Sequence, residues 1–269
     1  MQTFEKMKIL KIDNCEYLTN ISDVSCLPNL EKISFKNCKS LITIHDSIGF
    51  LSQLQILNAS NCDKLLSFPS LKLKSIRKLK LSGCTGLKKF PEILGKMENI
   101  KKIILRKTDI EEFPFSFNNL TGLTDLTIEG CGILKLPTSI LMMSNLFEVT
   151  VSGYSQLLSK PNDKLSSTFS ANVNVLRLNA NNHEFLTIAL IWFSNVETLY
   201  LSGSNIKILP ESLKNCLSLK CIGLDGCETL EEIRGIPPNL IALSALWCKS
   251  LTSSSKSMLM SQVLLFYLA

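Results

Sequence analysis

Cys216, Cys221 and Cys227 form the spacing C-x4-C-x5-C, and three thiols that close together raise the question of a zinc site. The chain holds ten cysteines and two histidines, His45 and His183, so thiolate and imidazole chemistry are the first possibilities to weigh. Neither histidine has a carboxylate or cysteine at a spacing diagnostic of a catalytic pair. His45, in "TIHDSI", stands just before a turn and reads as a solvated or capping side chain. No catalytic, cofactor-binding or metal-ligating set emerges, and the chain reads as non-enzymatic.

The cysteines instead mark a period. Cys15, Cys38, Cys62, Cys84, Cys131, Cys227 and Cys248 each follow a short apolar stretch by the same offset, as in "LKLSGC". Aligning on the second apolar position gives the anchors Leu10, Ile33, Leu57, Leu79, Ile103, Leu126, Val149, Leu176, Leu199, Ile222 and Leu243. Successive gaps run from 21 to 27 residues, within the period of leucine-rich repeats. Around each anchor, inward and outward residues alternate as in a strand ("LKI", "ISF", "LKL", "IIL", "LYL"). The predicted fold is an α/β leucine-rich-repeat solenoid: a curved horseshoe with parallel strands on the concave face and short, irregular helical turns on the convex face. One repeat cannot cover its own apolar face, so stacked neighbours must bury it.

The repeat decides the thiol question. The cysteine after each strand turns into the core, where a small apolar thiol packs well; Thr108, Tyr154, Asn181 and Ser204 replace it in other repeats. Cys221 then lies on the outward strand face, Cys227 in the core and Cys216 on the preceding leg, so the three do not converge on a metal. Cys38, Cys62 and Cys84 fall on adjacent strands ~4.8 Å apart, but their side chains lie parallel, which predicts free thiols and no disulfide ladder. Prolines in "FPEIL", "FPFSF", "LPTSI" and "LPESL" (Pro91, Pro114, Pro137 and Pro210) fix φ at the first position of the return leg, and Pro69 and Pro161 read the same way.

The expected organisation is a single repeat domain over residues 1–255, with an inserted polar loop near 159–172 and a tail, 256–269, outside the repeats. The tail reads equally as a docked helix or a frayed end. With 45% hydrophobic and 19% charged residues, the chain is a folded protein and not a disordered one. A formal charge of +6 is too mild and too dispersed to argue for nucleic acid. The opening "MQTFEKMKILKIDNC" has no apolar core of a secretory signal, and no apolar run approaches the ~20 residues of a membrane span. Free cysteines fit a reducing compartment, and the sequons at Asn20, Asn58 and Asn119 are read as chance matches.

Function is expected on the outward strand positions. "SIRKLKL" and "NIKKIILRK" place Arg77, Lys78 and Lys80 beside Lys101, Lys102, Arg106 and Lys107, a basic patch that suits an acidic protein surface. Asp125 and Glu129 in the next repeat are placed to screen one border. Phe147, Tyr200 and Trp247 form a second, aromatic candidate for protein binding, with Trp247 also suited to covering the end of the core.

The motifs "LKIDNCEYL", "LNASNCDKLLSFP", "LKLSGCTGLKKFP", "LYLSGSNIKILPESL" and "IGLDGCETLEEI", with the ending "IPPNLIALSALWCKSL", resemble the leucine-rich repeats of plant intracellular disease-resistance receptors. The similar subclass carries a Toll-type domain and a nucleotide-binding domain ahead of the repeats, and the likeness covers roughly residues 5 to 255. These 269 residues hold no phosphate-binding Gly-Lys-Ser or Gly-Lys-Thr loop, so any nucleotide or NAD chemistry lies outside them. The resemblance implies an effector-sensing and autoinhibitory module of innate immunity, in the cytoplasm or nucleus. Its implied partners are a pathogen effector, a host guardee or the nucleotide-binding domain absent from this chain, with no cofactor, nucleic acid or membrane. Two alternatives stand beside it: a free scaffold or adaptor, and a targeting subunit for a catalytic partner.

Overall fold

Each repeat contributes one short strand to a principal sheet, because its apolar anchor and the apolar residue two positions on point the same way and need a neighbour above and below. The computed structural model describes residues 3–131, 138–153, 172–180 and 183–262. The chain forms two compact units, Met1–Leu146 and Phe147–Ala269. In the first, the strands are β1 (Ile9–Lys11), β2 (Asn20–Ile21), β3 (Lys32–Ser34), β4 (Thr43–Ile44), β5 (Ile56–Asn58), β6 (Lys78–Lys80), β7 (Lys102–Arg106) and β8 (Asp125–Glu129). The principal sheet runs β1-β3-β5-β6-β7-β8, all parallel, while β2 and β4 pair separately on the return legs. In the second, β9 (Glu148–Ser152), β10 (Val175–Asn179), β11 (Thr198–Tyr200), β13 (Cys221–Gly223) and β15 (Ala242–Ser244) form the principal sheet, and β12 (Ile208–Leu209) pairs with β14 (Glu232–Ile233).

The register matches the sequence alignment anchor by anchor: Leu10 opposes Ile33, Ile33 opposes Leu57, Leu57 opposes Leu79 and Ile103 opposes Leu126. In the second unit Val149, Leu176, Leu199, Ile222 and Leu243 stand in one row. These anchors are buried from Ile33 onward, whereas Leu10, on the edge strand β1, is half-buried. Behind the first sheet, Phe90, Phe113 and Phe117 pack with ring centroids 4.7 to 5.4 Å apart, filling the space between neighbouring legs.

The residue before the position that cysteine fills in seven repeats takes a left-handed backbone: Asn14, Asn37, Asn61, Gly83, Lys107, Gly130, Gly153, Gly203, Gly226 and Trp247 all have positive φ. Only this turn lets the strand swing inward over two residues, and Asn and Gly tolerate it best. The Asn37 amide donates to Asn14 Oδ1 at 2.8 Å and Asn61 to Asn37 Oδ1 at 2.9 Å. The asparagine row stops at Gly83, where a Cβ would sit 2.1 Å from Asn61 Oδ1.

The cysteine that follows does more than pack. Cys38 Sγ donates to the Ile12 carbonyl at 3.0 Å, Cys62 to Phe35 at 3.2 Å and Cys84 to Ala59 at 3.1 Å. In the second unit Cys227 donates to Leu201 at 3.1 Å and Cys248 to Leu224 at 3.1 Å, while the Ser204 hydroxyl serves Leu178 at 3.2 Å. Each thiol thus satisfies a backbone carbonyl of the preceding repeat. Thr108 is buried in the same row; Cys15, at the edge, is only half-buried; Tyr154 and Asn181 lie outside the described residues.

The return legs differ from expectation in one respect. Pro114 and Pro210 cap the 3-10 turns Phe115–Asn119 and Glu211–Asn215 from one position ahead of the first helical residue, with φ of −68° and −72°. Pro69 and Pro91 start no helical turn; their legs run extended and bridge between Leu71 and Ile93. Pro137 and Pro161, with most of the 159–172 segment, lie outside the described residues. A serine in the turn ties the legs together: Ser47 Oγ accepts from Val24 N–H and Ser116 Oγ from Ile93 N–H, both at 3.0 Å.

Two α-helices replace short turns. The apolar run His183–Trp192 is α1, which buries Phe185, Leu186, Ala189 and Trp192. Ser253–Gln262 is α2, a docked helix: Leu259 is fully buried, and Ser255 Oγ accepts from Ile233 N–H at 3.2 Å and donates to the Glu231 carbonyl at 3.3 Å.

Candidate recognition surface

Strand periodicity sends the residues flanking each anchor outward, and stacking places them in rows. On β6 and β7 those rows hold Lys78, Lys80, Lys102 and Arg106, with Arg77 and Lys101 just ahead of the strands. All six are exposed, and together they line a hollow of about 470 Å³ whose apolar lining is Leu79 and Ile104 and whose remaining polar lining is Ser60 and Ser82. The structure therefore brings together six of the seven cations singled out by sequence. Lys107 is the exception: with φ of +52° it occupies the left-handed turn beyond β7, because the strand ends at Arg106. Lys11 on β1 and Lys32 on β3, each next to its anchor, carry the same sign on the same face.

Some cations elsewhere pair with carboxylates of the adjacent repeat, Lys8 with Glu31 at 2.7 Å, Lys88 with Asp109 at 3.2 Å and Lys89 with Glu112 at 2.8 Å, while others such as Lys11, Lys64 and Lys96 form no ion pair among the described residues. Arg106 is matched as well, its Nε donating to Glu129 Oε2 at 2.6 Å and its Nη2 reaching Oε1 at 3.4 Å. That bidentate hydrogen bond, reinforced by Glu129's charge, raises the Arg106 pKa further. Arg77, Lys78, Lys80, Lys101 and Lys102 form no ion pair among the described residues.

The aromatic candidates stay apart. Phe147, just ahead of β9, is 51% exposed. Tyr200, on β11, is half-buried: the Arg177 guanidinium lies 4.0 Å from its ring centroid, and Gly223 on the next strand leaves the ring room, since a Cβ there would meet Tyr200 Cδ1 at 2.8 Å. Arg177 is held in place by Glu148 at 2.7 Å. Trp247 departs from expectation twice. It sits at φ +63° in the turn beyond β15, in the row of Asn61 and Gly83, and at 65% exposure it does not cover the core. The Tyr200 seat depends on a small residue two positions past Cys221, a cue that pairwise reading along one strand does not reveal.

His45 caps the 3-10 turn Asp46–Phe50, its Nδ1 accepting from Ser47 N–H at 3.2 Å with Asp23 Oδ1 3.8 Å away. The side chain of His183 lies outside the described residues. Cys216 and Cys221 are half-buried and Cys227 is buried, on leg, strand face and core respectively. Among the described residues, no group of three or more His, Cys, Asp or Glu is arranged to hold a metal ion, and no helix is long and apolar enough to cross a membrane. Burial pushes Cys62 up to about 12 and Cys84 up to about 11, so both stay protonated at neutral pH.

Comparison with known proteins agrees with this architecture. A family model described as disease resistance protein RPS4B-like, leucine-rich repeats, matches residues 69–263. TMV resistance protein N of Nicotiana glutinosa is 26% identical, over 83% of this chain and 24% of its own length. From Arabidopsis thaliana, the protein SUPPRESSOR OF npr1-1, CONSTITUTIVE 1 is 30% identical over 90% of this chain and 14% of its own length, and disease resistance protein RPS4B is 28% identical over 85% and 19%. The chain thus spans less than a quarter of these relatives. Among solved structures, the leucine-rich repeat domain of the type III effector XopL superposes with a TM-score of 0.55 at 20% identity, covering 87% of this chain and 74% of that one, which is a likeness of fold.

Proposed function

The chain belongs to the leucine-rich-repeat family of RPS4B-like plant disease resistance proteins, and from that premise we propose that it is the effector-sensing and autoinhibitory recognition module of an intracellular immune receptor. It works without catalysis, by holding a protein partner on its strand face. The observation that carries this reading is the crowding of five cations that form no ion pair among the described residues, Arg77, Lys78, Lys80, Lys101 and Lys102, around one hollow over β6 and β7. An acidic surface on a pathogen effector, a modified host protein or the receptor's own nucleotide-binding domain would supply the missing counter-charge and be steered to it. Release of a docked domain on ligand binding is then a shift between two populations, driven by the difference in affinity for each. The cytoplasm, with the nucleus as a second site, is the compartment that fits such a receptor and its reduced thiols.

The test is transient expression in leaves of a receptor carrying these repeats with Lys78→Glu, Lys102→Glu and Arg106→Glu, with far-UV circular dichroism of the purified repeat chain as the folding control. The expected result is a changed resting state, seen as cell death without pathogen, or loss of the pathogen response. A folded variant that behaves like wild type in both respects overturns the assignment.

A further inference from the structure

The hollow over β6 and β7 is not uniform along the strands. Arg77, Lys78, Lys101 and Lys102 crowd the end where the strands begin. Next comes half-buried Ile104, beside Lys80 on β6 and over the buried Leu79, and beyond it the hydroxyls of Ser60 and Ser82. Arg106 closes that far end but is already committed to Glu129. Same-face side chains two residues apart on a strand are ~7 Å apart, so a ligand group held by the four cations has Ile104 two residues further along.

The four crowded cations spring from neighbouring strands whose backbones lie ~4.8 Å apart, and like charges held so near one another repel. The backbone is fixed by the sheet and cannot spread them. Anion binding relieves that repulsion, and a group carrying two carboxylates relieves more of it than a single one does. Charge alone would accept any polyanion. Ile104 gives the hollow its selectivity: it is half-buried at a position where β6 carries Lys80 and β8 carries Thr127, and an apolar side chain there rewards an apolar contact.

We propose that this hollow takes a short extended segment of a protein partner in which two or more acidic residues precede an apolar one. The carboxylates sit among Arg77, Lys78, Lys101 and Lys102, and the apolar side chain covers Ile104. The inference rests on the reading of the strand face as a protein-recognition surface, and it specifies which sequence that surface reads.

Fluorescence anisotropy of the full 269-residue chain tests it, with labelled peptides built around Asp-Glu-Glu-Leu-Leu, the same peptide with both leucines replaced by serine, and the same peptide with its acids replaced by amides. The leucine peptide is expected to bind roughly fivefold or more tightly than the serine peptide, as partial burial of one leucine would give. The amide peptide is expected to bind at least about tenfold more weakly than the leucine peptide. Ile104→Thr, which keeps a strand-forming residue, abolishes the leucine preference, while Lys102→Glu weakens both acidic peptides. Equal binding of the leucine and serine peptides, or displacement of both by pyrophosphate or a DNA duplex with equal ease, reduces the hollow to an unselective anion patch and overturns the inference. So does failure of both acidic peptides to bind. None of these results touches the broader reading, which stands or falls on the receptor variant in leaves.

Discussion

Gly83→Ala probes the turn that makes the repeat possible. Gly83 has φ of +78°, and an alanine Cβ there would approach Asn61 Oδ1 to 2.1 Å and Asn61 Cα to 3.2 Å. Holding alanine in a left-handed conformation costs about 1 kcal/mol. The Asn61 side chain must also swing away, which breaks its 2.9 Å hydrogen bond to Asn37 and adds about 1 kcal/mol at this exposed site. The expected destabilisation is therefore about 2 kcal/mol. In an Asn61→Gly background the obstructing oxygen is gone and only the backbone cost remains, about 1 kcal/mol, so a double-mutant cycle should show coupling of about 1 kcal/mol. Urea titration followed by far-UV circular dichroism measures the sum, and hydrogen exchange of peptides covering residues 79–110 places the loss in the correct repeats. Equal costs in the two backgrounds, or a cost below about 0.5 kcal/mol in the wild type, would refute the reasoning.

Cys84→Ser is expected to stay within about 1 kcal/mol of wild type because a hydroxyl can still donate to the Ala59 carbonyl, as Ser204 does to Leu178, whereas Cys84→Val removes the donor and costs about 1–3 kcal/mol in the same titration. Thiols held neutral by burial stabilise the fold fully below their ordinary pKa of 9.0, and that contribution is lost as pH rises towards about 11 for Cys84 and about 12 for Cys62. The urea midpoint should therefore fall between pH 9 and pH 11, and fall less steeply in a Cys62→Ala, Cys84→Ala variant; parallel pH profiles would refute this. Iodoacetamide at pH 8 should modify half-buried Cys15, Cys26, Cys216 and Cys221 ahead of the buried thiols, with all ten reacting in urea; pairs that resist alkylation in urea would reveal disulfides. An immunoblot of source tissue against the repeats should show a species much larger than 30.0 kDa, whereas a single band near that mass would favour a free scaffold.

The strand register was legible because a two-residue alternation repeated eleven times leaves one consistent pairing, and Leu57 opposite Leu79 follows from counting. The basic hollow was legible for the same reason: once register is known, Lys78 and Lys102 must be neighbours. Turn geometry was less accessible. Lys107 and Trp247 continue their strands by count, but the backbone has already turned left-handed at both, and a lysine or tryptophan gives no sign of that where asparagine or glycine would. The thiol ladder shows another limit. A cysteine in an apolar row reads as packing, and only the position of the previous repeat's carbonyl reveals that it donates. Tyr200 was read as an open aromatic because the glycine that seats it and the arginine that covers it belong to other repeats.

The links just described share one reach. Thiol to carbonyl, asparagine to asparagine, serine to leg amide and lysine to carboxylate each join a repeat to the one beside it, across sequence separations of 23 to 27 residues in Cys62 to Phe35, Asn37 to Asn14, Ser47 to Val24 and Lys8 to Glu31. A fold wired from repeat to repeat in this way can gain or lose a whole repeat by duplication or deletion of its coding segment, provided the new junction supplies the same donors and acceptors. The surface can then lengthen or reshuffle without redesign of its core, a route by which a recognition protein keeps pace with a target that changes.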